Sequence, residues 1–173
     1  MSHKEQLDFV RHVKYKFPVF FTRKRVLEVG SYDINGSVRQ FFSDCIYTGL
    51  DLAPGKGVDV VCSGNVFKSE FKYDTLISTE CFEHDQHWVE TFKNMIFLGT
   101  PTALILFTCA TNDRAEHGTP RTTPGDSLSS QFNSYYCNLG IDDFIDIIDF
   151  NATFSTYSFE VRDNDLYFWG IKK

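Results

Sequence analysis

Three groups of residues have the types and spacing to do chemistry. The first is Val26-Leu27-Glu28-Val29-Gly30-Ser31, a short apolar run that carries one carboxylate and closes on Gly-Ser. A glycine there lets the backbone turn tightly against a ligand. The second is Asp51-Leu52, 21 residues past Gly30. A carboxylate at that distance, at the end of the next apolar run, can accept hydrogen bonds from both hydroxyls of a ribose. The third is a set of acid–base groups, Glu80 and His84 just after the run Tyr73–Ser78, and His117 in a long polar stretch. Glycine turn and acid together read as a nucleoside site. Beside it, an imidazole or carboxylate can move a proton.

Elements must position these groups, and hydrophobic periodicity outlines them. Phe9, Val13 and Phe17 repeat every four residues and predict an N-terminal helix within residues 1–22, ended by Pro18. Apolar, β-branched runs predict strands at 26–29, 46–51, 58–61, 73–78 and 103–107. The spacing of Val38, Phe41 and Phe42 predicts a helix over 36–42, with Asp33, Asn35 or Ser37 as its cap. Trp88, Phe92, Met95 and Ile96 predict another, and Ile141 to Ile148 a short acidic one with a solvated face. Residues 110–137 carry Asn, Asp, Ser and Thr with Gly and Pro punctuation, which predicts a long loop, either functional or disordered. Aromatic runs at 153–161 and 166–172, joined by Arg162-Asp163-Asn164-Asp165, predict a terminal hairpin. Alternating strands and helices followed by a hairpin define one α/β domain over residues 1–173, its sheet largely parallel with an antiparallel edge. In such a sheet the ligand lies beyond the carboxyl ends of the strands, where Gly30, Asp51, Glu80 and His84 all fall.

Residues 25–109 resemble the cofactor half of a class I S-adenosylmethionine-dependent methyltransferase of the small, type-11-like branch. Val26-Leu27-Glu28-Val29-Gly30 is similar to that family's first motif, and Gly49-Leu50-Asp51-Leu52 to its second, which binds ribose. Tyr73-Asp74-Thr75-Leu76-Ile77-Ser78-Thr79-Glu80-Cys81-Phe82-Glu83-His84 resembles the fourth-strand motif of the small-molecule members. The resemblance implies a doubly wound, mostly parallel seven-stranded sheet of Rossmann-like type with a C-terminal antiparallel hairpin. It implies S-adenosyl-L-methionine as cofactor, held by Glu28, Gly30, Ser31, Asp51, Leu52 and Glu80. Ser63 or Asn65 would stand where the family usually offers an Asp to adenine. His84, His117 and Glu80 are its candidates for a catalytic base. The chain departs from the family's G-x-G-x-G loop, because Tyr32 and Ile34 occupy the second and third glycine positions. No inserted acceptor domain is present, so the N-terminal helix and the 110–137 loop are left to recognise the acceptor.

The same residues have plainer readings. Glu28 can pair with Lys24 or Arg25, while Glu80 and His84, with Glu83, can start and cap a helix. Cys81 reads as core packing, and Tyr135-Tyr136 as an anchor for the loop. Two other function classes stay open: a non-catalytic methyltransferase-like binding or accessory protein, and an NAD-dependent enzyme lacking the pyrophosphate glycines. Composition narrows the partners. The net charge of −6 and the lack of a flipped-base motif disfavour nucleic acid and leave a small-molecule or sugar-like O/N acceptor. The five cysteines form no C-x-x-C pair, and no metal-ligand set is read from the spacing. Reduced thiols, a charged N-terminus and no apolar run near the roughly 18 residues of a membrane span predict a cytoplasmic protein.

Overall fold

The computed structural model describes residues 3–173. The chain forms a seven-stranded sheet of β1 (Arg25–Val29), β2 (Ile46–Asp51), β3 (Val60–Val61), β4 (Tyr73–Thr79), β5 (Gly99–Ala110), β6 (Phe154–Arg162) and β7 (Asp165–Lys172), with β4 at its centre. The order is β3-β2-β1-β4-β5-β7-β6. Strands β1 to β5 run parallel, and β7 pairs antiparallel with both β5 and β6. The expected architecture is therefore present. β4 and the second half of β5 are buried on both faces, and β5 is nearly continuously apolar there because both faces are covered.

Two cores flank the sheet. On one face, helix α1 (Lys4–Lys16) lays Phe9, Val10 and Val13 against Val26, Ile77, Leu104, Leu106 and Tyr167. On the other, α2 (Trp88–Leu98), α3 (Ile141–Ile145) and α4 (Phe150–Thr153) enclose an aromatic core around Phe107. Each aromatic ring removes a large apolar area from water, and tilted or offset rings pack it without voids. The two residues at the β6–β7 turn, Asp163 and Asn164, both have positive φ (52° and 65°). Short polar side chains tolerate that conformation, and it matches the strand twist.

Three expectations are corrected. The helix expected over 36–42 is a four-residue 3-10 turn, Val38–Phe41, capped by Ser37 as foreseen. Phe42 already has extended backbone, so its ring points onto Phe21 rather than continuing a helical face. The 58–61 strand shrinks to Val60–Val61, an exposed edge with little apolar surface to bury. The acidic helix over 141–148 stops at Ile145. The helical layers of the doubly wound fold are thus thin on the β2–β3 side, where the ligand-side loops lie open.

Candidate active site

The sheet's order reverses between β1 and β4, which stay paired to Val29 and Ser78, and the connections that follow them leave toward opposite faces and open a crevice at their carboxyl ends. A cleft of about 370 Å³ fills it, within the usual range for small-molecule sites. Gly30, Tyr32 and Ile34 beyond β1 line it, with Asp51 and Leu52 beyond β2 and Ser63 beyond β3. Glu80, Cys81 and His84 line it beyond β4. The far wall is Asp126 to Ser129 with Phe132 and Asn133, from the loop after β5.

Local geometry explains the residue types. Gly30 has φ +79°, and a Cβ there would stand 2.7 Å from Cys81 Cβ. Both the turn and the approach of the β4 end demand glycine. Cys81 is accordingly a packing residue, and burial pushes its thiol far above the usual range, where it is a poor nucleophile. The Asp51 carboxylate accepts from Tyr32 N–H at 3.0 Å and Leu52 N–H at 2.7 Å. Those two bonds fix its plane while each oxygen keeps a lone pair for a ligand hydroxyl. Ser63 Oγ donates to Asn65 Oδ1 at 2.6 Å, so Asn65 stands behind Ser63 and does not line the cleft.

Glu80 has φ +50°, an uncommon left-handed conformation for a residue with a Cβ. It is clamped by Thr108, whose carbonyl accepts from Glu80 N–H and whose hydroxyl donates to Glu80 Oε1, both at 2.9 Å. The clamp aims a buried carboxyl at the cleft floor, and burial raises its pKa. His84 closes the same floor on the turn Phe82–His84. Burial pushes its imidazole down to about 3, so it is neutral at ordinary pH with a nitrogen lone pair to offer.

Three expected site residues face elsewhere. Glu28 points to the α1 face, because residues alternate along a strand and its neighbours Leu27 and Val29 face the other core. Its carboxyl accepts from the Tyr47 hydroxyl at 2.8 Å rather than pairing with Lys24 or Arg25. Ser31 is buried against Gly49 and does not line the cleft. Asn65 is the third. His117 lies just behind the cleft wall, its ring 5.1 Å from that of His84 and 5.2 Å from Tyr136. Tyr136 thereby anchors the loop to the body, and Cys137 N–H donates to the Glu83 carbonyl at 2.9 Å. Tyr32 and Ile34 also line the cleft, and Glu83 is buried beside His84 and His117; no motif in the sequence marks these three as site residues. All five cysteines are free thiols. Among the described residues, no helix is long and apolar enough to cross a membrane.

No protein-family model matches the chain, and no curated protein matches it. Solved structures do. One is Burkholderia thailandensis 1,6-didemethyltoxoflavin-N1-methyltransferase with bound 1,6-didemethyltoxoflavin and S-adenosylhomocysteine. It is 11% identical, with 96% of this chain and 77% of that chain covered at a TM-score of 0.66. The plantazolicin methyltransferase BpumL in complex with S-adenosylhomocysteine is 14% identical, covered 96% and 83%, with a TM-score of 0.63. The N-methyltransferase NodS from Bradyrhizobium japonicum is 14% identical, covered 96% and 97%, with a TM-score of 0.55. The chain has the fold of the class I S-adenosylmethionine-dependent methyltransferases.

Proposed function

We propose that the cleft binds S-adenosyl-L-methionine and that the chain transfers its methyl group to a small-molecule or sugar-like acceptor through oxygen or nitrogen. The convergence of Gly30, Asp51 and Ser63 on one cleft at the sheet's switch point carries this reading. The two neighbours solved with S-adenosylhomocysteine support it from outside. When bound, the cofactor supplies a methyl group already activated by a sulfonium charge. Gly30 lets the ligand approach the backbone, Asp51 takes the ribose hydroxyls, and Ser63 keeps acceptor capacity for the adenine amino group. Tyr32 and Ile34, standing in place of glycines, narrow the cleft and exclude water. Neutral His84, with Glu80 beside it on the floor, is placed to accept a hydrogen bond from the acceptor's hydroxyl or amine and so orient it toward the methyl group. His117 stands one layer behind.

Calorimetric titration tests the reading. S-adenosylhomocysteine should bind at micromolar affinity or tighter, about −8 kcal/mol. Asp51→Ala should weaken it by about 1–3 kcal/mol, because a hydroxyl pair loses its charged acceptor. Equal binding by Asp51→Ala would remove the ribose assignment, and NAD binding in place of S-adenosylhomocysteine would favour a dinucleotide enzyme. Binding with no turnover of any acceptor would favour an accessory role.

The 110–137 loop is proposed as a lid. It forms two short 3-10 turns, Pro124–Asp126 and Leu128–Gln131, that face the cleft. At a ligand concentration a hundredfold over Kd, amides whose opening must expel the ligand exchange about 100-fold more slowly. Hydrogen exchange across 112–137 should slow to that degree with S-adenosylhomocysteine and an acceptor analogue. Protection confined to the ends of β1 and β2 would show the loop to be a mere surface excursion.

A further inference from the structure

We infer that Glu83, His84 and His117 form a site for a first-row divalent transition-metal ion, set against the floor of the cleft. One Glu83 oxygen and one nitrogen of each imidazole lie within 4.8 Å of one another. His84 Nε2 stands 4.0 Å from Glu83 Oε1. Donors around a tetrahedral ion with bonds of about 2.1 Å lie about 3.4 Å apart, so closure needs about 1.5 Å at most. His117 rides on the long loop and is the ligand best able to move that far.

The polar atoms of this cluster are left short of partners by the folded chain. His84 Nδ1 is buried without a hydrogen-bond partner, and the buried Glu83 carboxyl has the Glu80 carboxyl and the Ala110 N–H as its nearest polar neighbours. Such groups are costly in a protein interior unless something satisfies them. The ionisable group that acts most strongly on Glu83 is a second buried carboxyl, Glu80. A proton shared between the two acids relieves part of that cost. A cation relieves it and takes up the imidazoles as well.

His117 is oriented for the task. Its Nδ1 lies 3.1 Å from the Ala115 carbonyl, which can only accept, so Nδ1 carries the hydrogen and Nε2 the lone pair. The Tyr136 hydroxyl, 3.2 Å from the same Nδ1, steadies the ring. Metal-binding imidazoles are commonly held in this way through the nitrogen that does not ligate. Gly118 follows, with φ +62°, and a Cβ there would stand 2.8 Å from His84 Cε1. Glycine lets the loop lie against the His84 ring and bring His117 over it.

Two imidazoles and one carboxylate favour Zn²⁺, Fe²⁺, Mn²⁺ or Co²⁺ over the oxygen-seeking Mg²⁺ and Ca²⁺. Three protein ligands leave a position open, and His84 places it beside the cleft. Binding of the ion does not depend on the proposed reaction. Its role, binding an oxygen of a hydroxyl-bearing acceptor, rests on the proposed methyl transfer. In the loaded state the two imidazoles spend their lone pairs on the ion and are not bases.

The test uses tag-free, chelator-stripped full-length protein, titrated with Co²⁺ by visible absorption and with Zn²⁺ by competition. One equivalent of Co²⁺ should bind with a ligand-field spectrum and be displaced by Zn²⁺. His117→Ala, a change on the partly exposed loop, should weaken binding by about 100-fold or more while leaving the circular dichroism of the fold intact. Glu83→Gln should do the same, and His117→Ala decides the matter if that buried change prevents folding. No saturable binding of either ion below about 100 μM, or unchanged binding by His117→Ala, overturns the site. S-adenosylhomocysteine titrated into the same samples separates the two ideas. Nucleoside binding without metal sinks this inference alone, and metal binding without nucleoside sinks the methyl-transfer reading and leaves the site standing.

Discussion

Unfolding free energy measured across pH 5 to 8 should fall as pH rises, and Glu28→Gln should remove one proton's share of that fall. The cause is local. Burial pushes the Glu28 carboxyl from its ordinary 4.5 up to about 8. Asp51 raises it further, while the Tyr47 hydroxyl and Arg39 pull it down without matching the desolvation. Arg39 is itself engaged by Asp59. Between those two pH values the folded chain keeps a proton on Glu28 that the unfolded chain has lost. Stability therefore declines from about 4.5 upward and levels off above about 8. One such proton is worth about 1.4 kcal/mol per pH unit, which accumulates to several kcal/mol across the window. Glutamine keeps the volume and the oxygen to which Tyr47 donates, but does not titrate. The difference in slope between parent and variant is the readout rather than the stability at any one pH, since Asp165 adds to the fall while His84 and His117, kept neutral by burial, oppose it below about 6.5. Identical slopes for parent and variant would mean that Glu28 is not the proton held.

Phe107→Ala should cost about 3–5 kcal/mol in chemical denaturation, roughly a fifth or more of the stability of a typical domain. Phe107 is fully buried on β5, stacked on Phe144 at 4.4 Å and on Phe168 at 5.0 Å. It also meets Phe82 at 5.2 Å and Phe92 at 5.4 Å. One ring thus joins the sheet, the turn carrying His84, α2 and α3. Rings held on several sides cannot collapse into the space, so the cavity term adds to the lost transfer energy. α3 has only five residues and depends on Phe144 to stay seated. Its amides should lose protection first. A loss below about 1 kcal/mol would show that the aromatic core repacks freely.

Much of the scaffold was legible before the structure because its signals are local. The short β-branched runs of β1 and β4 and the unbroken apolar run of β5 mark covered strands, and the Asp163-Asn164 turn announces the hairpin. Gly30 and Asp51 were legible too, since a turn and a strand end are single-chain features. The boundaries that failed, at 36–42, 58–61 and 141–148, are places where few residues have anything to pack against. Propensity there is overruled by the length of chain the connection can spare.

The site divides along the same line. Sequence by itself determined which residues stand beyond the strands, because the register of an apolar run also sets where it ends. It did not determine which way each side chain faces. Glu28 lies two residues before Gly30 yet looks into the opposite core, since a strand alternates and β1 is buried on both faces. Nor did it bring Glu83 and His84 to His117. They stand on segments separated by some thirty residues, joined only because β4 and β5 are parallel neighbours whose carboxyl ends share one edge of the cleft. Contacts between strand ends are a property of sheet order, and sheet order is settled by how two cores close over the whole chain.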